Sequence, residues 1–373
     1  MVLAIVSQIR FQLPRALLDS RWLWRSHSIR ISLLKFCKNM SIGVLLAIGT
    51  SSYLSANIVQ AAIFDRSGQK IPDREVNSDR VNWRMLSTAA GRKYNGVGSI
   101  GVDYGVCTGF AISTGTNNPN APAYVLTNGH CQGKAGKLPD DREIMVDRST
   151  KTQFTVNYFH DFKSDRLTIP VKRLVYGTMK NNDIAILELD ITQRQLRKAG
   201  INALTIAPKP PTIGEPLIVV GIPSEGVEDE RNYLHAVTCQ TGELANVKED
   251  IYNWQQSIRH KCSIVGGMSG SPMISLKTRQ VVGIINTGVN DNAAKQPQCS
   301  LNRPCEVGKQ GFVQTFPQEN YGQLVDRIPT CFDRSGIFDL DRPTCQLERP
   351  STPTINPKIQ TPKPNTQNLT PKT

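Results

Sequence analysis

The chain has 373 residues, a formal net charge of +13 and 39% hydrophobic residues, which is room for one large domain or two modest ones. The charge sits at the ends: residues 1–61 carry seven Lys/Arg against Asp19, and residues 349–373 carry Arg349, Lys358, Lys363 and Lys372 with no acid, leaving +3 for the body. A nucleic-acid-binding domain needs a basic stripe on its folded surface, so this distribution argues against that class.

The first sixty residues read as targeting sequence. Ile42–Ile48 is a short apolar run behind Lys35 and Lys38, followed by small and polar residues ending in Val59-Gln60-Ala61. This is the order of a basic region, an apolar region and a small-residue cleavage site, and it predicts a leader over 1–61. The run is shorter than the roughly 20 apolar residues of a membrane span, so no stable span is expected once the leader is gone. Some forty residues rich in Arg and Ser precede it. That leaves three readings: a later translation start, a long basic region, or an organelle transit peptide. Residues 62–95 follow as a pro-segment or N-terminal arm.

From residue 96 the pattern changes to short apolar runs broken by Gly, Asn, Pro and Asp. They include Val97–Val102, Phe110–Ile112, Ala123–Leu126, Ile184–Leu189, Leu217–Val220 and Val281–Ile285. Such runs predict buried strands between turns. Thr192–Ala199 is the one short stretch that reads as helix. Many short strands over residues 96–328 predict an all-β sandwich or a pair of barrels. Residues 329–348 form a small appendix around Cys331 and Cys345. The segment 349–373, with six prolines and almost nothing apolar, predicts a disordered tail or spacer.

There are nine cysteines, and removal of the leader takes Cys37 with it. The even number left in an exported chain predicts disulfides. By proximity, Cys239 pairs with Cys262, Cys299 with Cys305, and Cys331 with Cys345. No CxxC pair is present, which argues against a zinc ribbon or a thioredoxin-like site.

Three segments carry chemistry. Thr127-Asn128-Gly129-His130-Cys131 follows the strand Ala123–Leu126; Asn182-Asp183 precedes the run Ile184-Ala185-Ile186-Leu187; Gly266-Gly267-Met268-Ser269-Gly270-Ser271-Pro272 is a glycine-rich turn. Taken singly, each has a plain structural reading: a histidine at a strand end, a turn into a strand, a loop. Together and in this order they resemble the TAAHC-, DIALL- and GDSGGP-type segments of the chymotrypsin/trypsin-like serine protease family. The serine segment is most similar to the bacterial trypsin-like branch, with its GNSGSP or GSSGSP. The resemblance spans roughly residues 95–325 and implies two six-stranded antiparallel β-barrels with the active site between them.

It also implies roles. A serine hydroxyl is a poor nucleophile at neutral pH and needs a base beside it. His130 would be that base, Asp183 would hold its tautomer, and Ser269 would attack. The amides of Gly267 and Ser269 would form an oxyanion hole. Cys107, in Cys107-Thr108-Gly109-Phe110, would pair with Cys131 and staple the loop carrying His130. Val281–Gly288 resembles the family's VGI-x-S-W-G strand, whose edge binds substrate backbone. Ser263, Ile285, Asn286, Thr287 and Gly288 are therefore the candidate substrate-binding residues. Protein or peptide substrates are implied, with no metal or cofactor and no nucleic acid. The oligomeric state is left open.

The chain departs from the pattern in places. Met268 replaces the Asp that receives a freed amino terminus in trypsin-like zymogens, so that activation route is not expected. Thr287 stands where the family usually has Trp. Ser263 falls where trypsin-like enzymes carry a pocket Asp, and Ile285 where glutamyl endopeptidases usually carry His. An uncharged or apolar residue before the scissile bond is expected. Three other readings compete: a catalytically silent homologue acting as a binding module, a glutamyl endopeptidase, and a β-sandwich adhesin anchored by its tail. The last leaves the ordered triad as coincidence.

Overall fold

A computed structural model describes residues 84–102, 105–133, 137–161, 166–224, 233–289 and 295–350. The expected leader over 1–61, residues 62–83 and residues 351–373 of the expected tail lie outside the described residues. The first described element, β1 (Arg84–Met85), leads into a single helical turn, α1 (Thr88–Gly91). Seven strands follow: β2 (Val97–Val102), β3 (Gly105–Ile112), β4 (Pro122–Thr127), β5 (Ile144–Arg148), β6 (Gln153–Val156), β7 (Leu167–Thr178) and β8 (Ile184–Thr192). The expected short helix is α2 (Gln193–Lys198), started by a capping box in which Thr192 and Gln195 exchange side-chain and backbone bonds. Then come β9 (Pro216–Gly221), β10 (His235–Glu249), β11 (Tyr252–His260), β12 (Pro272–Ser275), β13 (Val281–Gly288), β14 (Cys305–Val307), β15 (Val313–Gln314) and β16 (Asn320–Leu324).

Each half closes on itself as a six-stranded antiparallel barrel. The first runs β6-β2-β3-β4-β8-β7 and back to β6, with β5 on the edge of β7. The second runs β9-β10-β11-β16-β13-β12 and back to β9, with β1 and β14 paired to β10 and β15 to β14. Closure depends on two long strands that change partner along their length. Strand β7 pairs with β6 through Leu167–Pro170, then with β8 from Val171 onward. Strand β10 pairs with β9 through His235–Gln240, then with β11 from Thr241 to Glu249 across two bulges. A bulge bends and twists the strand, which lets one sheet curl back to its own edge.

The apolar runs are continuous rather than alternating because both faces of these strands are buried. In β4, Val125 points into the first barrel, while Tyr124 and Leu126 point into the core between the barrels. In β8, Ala185 and Leu187 face inward, and Ile184 and Ile186 face the shared core. In the second barrel, Leu217 and Val219 line the interior, and Ile218 and Val220 turn to the shared core. The barrels are thus joined by an apolar layer, and the polar residues at their facing strand ends are carried to one cleft.

Residues 84–95 pack on this body through Leu86 and Tyr94. Leu86 is in the shared core, its N–H donates to Leu234 O, and its carbonyl accepts from His160 N–H. The appendix after Ile328 packs on the same core. Phe332 meets Tyr124 edge-on at 5.1 Å between ring centroids, and Phe338 lies 6.2 Å from Tyr176. The Phe338 N–H donates to the Tyr124 hydroxyl at 3.2 Å. The disulfide Cys331–Cys345 staples this segment. Its end reaches the loop before β8, where Glu348 pairs with Lys180 at 3.0 Å and accepts from the Asn181 amide. Substituting Phe338→Ala should therefore cost about 3 kcal/mol of stability in urea unfolding; a change under about 1 kcal/mol would mean that the appendix is not part of the core.

Candidate active site

Antiparallel register brings His130 and Asp183 together. Thr127 at the end of β4 pairs with Ala185 of β8, so the residues just beyond face each other at the barrel rim. His130 opens a 3₁₀ turn, His130–Gln132. Its Nδ1 lies 2.6 Å from Asp183 Oδ2, and its backbone N–H donates to Asp183 Oδ1 at 2.9 Å. The Asn128 amide donates to the Asp183 carbonyl at 2.8 Å. Asp183 is fully buried, so two donors on one residue hold a carboxylate that would otherwise be costly to bury. Gly129 allows this approach, because a Cβ there would stand 2.0 Å from Thr178 O. The disulfide Cys107–Cys131, 6.3 Å between Cα atoms, ties the turn to β3.

Ser269 sits on a turn shaped by two glycines. Gly267 has φ +89° and Gly270 φ +81°, a region that costs other residues steric strain. Side chains are excluded from both by packing as well. A Cβ on Gly267 would meet Ile222 O at 2.6 Å, and one on Gly270 would meet Thr108 O at 2.2 Å and the Thr127 hydroxyl at 2.4 Å. Met268 N–H donates to Val265 O, Ser271 N–H to Met268 O, and Gly270 N–H to Ile285 O. Among the described residues neither the Gly267 N–H nor the Ser269 N–H donates to a backbone carbonyl. The neighbouring Ser271 is fully buried with its hydroxyl packed toward Gly221, where a Cβ would stand 2.1 Å away. Met268 is buried in the core of the second barrel.

One residue that the sequence reading passed over joins the two halves of this site. Thr108 of β3 donates its N–H to Ser269 O at 2.8 Å and its hydroxyl to Gly267 O at 2.8 Å. The same hydroxyl accepts from Ile222 N–H at 3.0 Å, and the Thr108 carbonyl accepts from the Thr127 hydroxyl at 2.8 Å. The first barrel thereby grips the serine turn through β3, next to Thr127 at the end of the strand that leads to His130. The only sequence signal was its place beside Cys107.

The expected substrate-binding residues divide. Ile285 is in the core of the second barrel and reaches the site only through its backbone, which braces Gly270 and Ser271. Asn286 and Thr287 line a recess with His130, Leu138, Met179, Tyr252 and Trp254. Gly288 faces Asn320, whose Oδ1 would be 1.9 Å from a Cβ there and whose amide donates to Cys262 O at 2.8 Å. Ser263 is buried beside that disulfide-linked cysteine. An uncharged amide, not a carboxylate, therefore fills the space next to Gly288. Glu249, also unread in the sequence, lines the recess beside His130, and burial pushes its carboxyl up to about 7. The groupings of Cys107, His130 and Cys131, and of Cys239, His260 and Cys262, have metal-like spacing, but all four sulfurs are in disulfides and offer no thiolate. Cys299–Cys305 is the fourth bond.

Residues 107–284 match the family model described as a trypsin-like peptidase domain. Over that span the chain carries a trypsin-like peptidase domain, the family that its three motifs resemble. Solved structures with similarity include the active form of the Rv3671c protease of M. tuberculosis, at 18% identity and a TM-score of 0.39, covering 67% of this chain and 82% of that one. The MamO protease domain of Magnetospirillum magneticum matches at 15% identity and a TM-score of 0.37, covering 63% and 94%. Human heparin binding protein matches at 14% and 0.41, covering 66% and 92%. No curated protein matches the chain in sequence.

Thr108→Val keeps the shape but strands two buried groups, the Gly267 carbonyl and the Ile222 N–H. It should cost about 2–4 kcal/mol in urea unfolding. It should also slow reaction of Ser269 with a fluorophosphonate by about tenfold or more, and Thr108→Ser should restore both. Unchanged labelling in the valine variant would show that the clamp does not position the serine.

Proposed function

We propose that the chain is an exported serine endopeptidase that hydrolyses peptide bonds through an acyl-enzyme on Ser269. The observation that carries this reading is the Asp183–His130 pair at 2.6 Å, set across the cleft from a serine on a doubly glycine-shaped turn. In the proposed reaction Ser269 Oγ attacks the scissile carbonyl while His130 Nε2 takes its proton. Asp183 keeps the other ring nitrogen protonated and stabilises the imidazolium. The oxyanion is met by the Gly267 and Ser269 N–H groups, which point at charge that exists only in the transition state. Collapse expels the amine, which takes the proton from His130. Water then repeats the sequence and frees the acid. In this reading Ser263 and Asn320 would line the pocket for the residue before the scissile bond, and both are uncharged, which favours an uncharged residue there over Arg, Lys or Glu. Four disulfides support an oxidising compartment outside the cytoplasm.

Labelling by a fluorophosphonate separates this reading from a catalytically silent homologue. Ser269→Ala should abolish labelling and reduce turnover by about 10⁶, whereas Ser271→Ala should keep most activity. Loss of labelling in the Ser271 variant alone would refute the assignment.

Activation follows from Met268. A buried ammonium without a carboxylate partner is costly, and Met268 offers an apolar wall instead. Activity should therefore not depend on a free amino terminus. Chains starting at Ala62 or Arg80, each with and without one added N-terminal residue, should turn over a peptide substrate at equal rates. A drop of orders of magnitude on a one-residue extension would show that a terminus is inserted.

A further inference from the structure

Three strands bring polar groups to one small space beside His130. In the β10–β11 hairpin Glu249 pairs with Tyr252 and Val247 with Trp254, and residues opposed in a ladder point to the same side of the sheet. That side sets Glu249 next to an apolar cluster of Val247, Tyr252, Trp254 and Tyr321. Strand β13 supplies the third group. Its pairing with β16 slips between Ile285 and Thr287, so Asn286 sits at a bulge, a feature that re-aims a side chain. Glu249, Trp254, Asn286 and Thr287 line one recess with His130.

The recess holds about 20 Å³, room for one water and nothing larger. Glu249 is 2% exposed. Its Oε1 accepts from Asn302 N–H at 2.6 Å, and the Thr287 hydroxyl lies beside the carboxyl. Three buried atoms of the lining residues have no hydrogen-bond partner among the described residues: Glu249 Oε2, Trp254 Nε1 and Asn286 Nδ2. Leaving buried polar atoms unserved is costly, and three at one place call for a shared partner. Two are N–H donors and one is a carboxyl oxygen. A cation would face the two N–H dipoles and an anion would face the carboxylate, so only a group that both donates and accepts suits all three. A water that accepts from both nitrogens and donates to Oε2 makes about the three hydrogen bonds usual for a buried water. Burial pushes the Glu249 carboxyl up to about 7, and a water can serve it with or without its proton.

We infer that one buried water joins Glu249, Trp254 and Asn286, and that Glu249 acts through it as a positioning residue, holding the β13 edge beside His130 where substrate backbone would pair. The functional half of this inference rests on the peptidase reading. Strand β13 is hydrogen-bonded to β12 and β16, not to β10, so the water and the Thr287 hydroxyl link the hairpin to that edge directly. Trp254 extends the link toward the acid: it bridges Asn181, and Gln255 N–H donates to Asn181 O at 3.0 Å, two residues before Asp183.

The test begins with a high-resolution crystal structure of the chain starting at Ala62. It should show a water within about 3.2 Å of Glu249 Oε2, Trp254 Nε1 and Asn286 Nδ2. An empty recess, a metal ion at that point or direct bonds among the three side chains overturns the site. Kinetics then test the positioning role. Glu249→Gln keeps a polar group toward the water and should leave the KM for a peptide spanning the cleft within about threefold. Glu249→Leu should expel the water and raise that KM about tenfold with kcat little changed. Fluorophosphonate labelling of Ser269 does not use the β13 edge and should slow by less than about threefold in the leucine variant. Equal slowing of labelling and turnover overturns the positioning role, as does an unchanged KM. Where the leucine variant does not fold, Trp254→Phe removes one donor and should raise KM without slowing labelling; an unchanged KM there overturns the role as well. A water in place without any labelling of the unsubstituted protein would sink the peptidase reading and leave the site, whereas labelling without the water would do the reverse.

Discussion

The hydrogen bonds made by Thr108 are what make two barrels into one site. The proposed nucleophile on one barrel and the proposed base on the other would be useful only if the gap between them is fixed to a fraction of an ångström. Apolar packing cannot supply that by itself, because it is non-directional. Thr108 supplies direction with three of its own groups: its N–H to Ser269, its hydroxyl to Gly267 and its carbonyl to Thr127. The first two set the carbonyls on either side of Met268, and hence the way the intervening amides face. The third runs to the residue that leads into Asn128 and His130. Every one of these groups is buried, so leaving any unpaired is costly, and that cost is what makes the alignment rigid.

The clamp works because the barrels are already pressed together. Strands apolar on both faces cannot be solvated on either side, so each barrel fills its interior and offers a second apolar face outward. The shared layer of Phe110, Leu126, Ile186, Val220 and Ile284 is the consequence, and the appendix extends it over Tyr124 and Tyr176. The same appendix ends on Lys180 and Asn181, within a few residues of Asp183. Stability of the body and placement of the acid are therefore coupled through one short stapled segment.

Polar groups in the cleft fall into two kinds. Asp183 is buried, and both of its carboxyl oxygens are engaged by His130. Glu249 is buried and half served, and its carboxyl is driven toward neutrality. Burial is the main cause of that rise.

Much of this was written locally in the chain. The strands around His130, Asp183 and Ser269 were legible because two-sided burial gives unbroken apolar runs, and the glycines of the serine turn were legible because such backbone angles strongly favour glycine. The half-exposed strands β10 and β11 were not legible: their runs, such as Thr241–Glu249, mix charged and apolar residues, and bulges shift their alternation. The sequence by itself determined the strand-rich fold and the order of the three motifs, whereas the disulfide pairing was an expectation from proximity and, for Cys107–Cys131, from the family resemblance, which the structure meets in all four bonds. Only the tertiary structure decided that Thr108 grips the serine turn, that Ile285 is core rather than pocket, and that Glu249 faces His130. Each of those depends on which residues distant in the chain are brought into contact when a barrel closes, and barrel closure is a property of strand register that no local pattern of residue types contains.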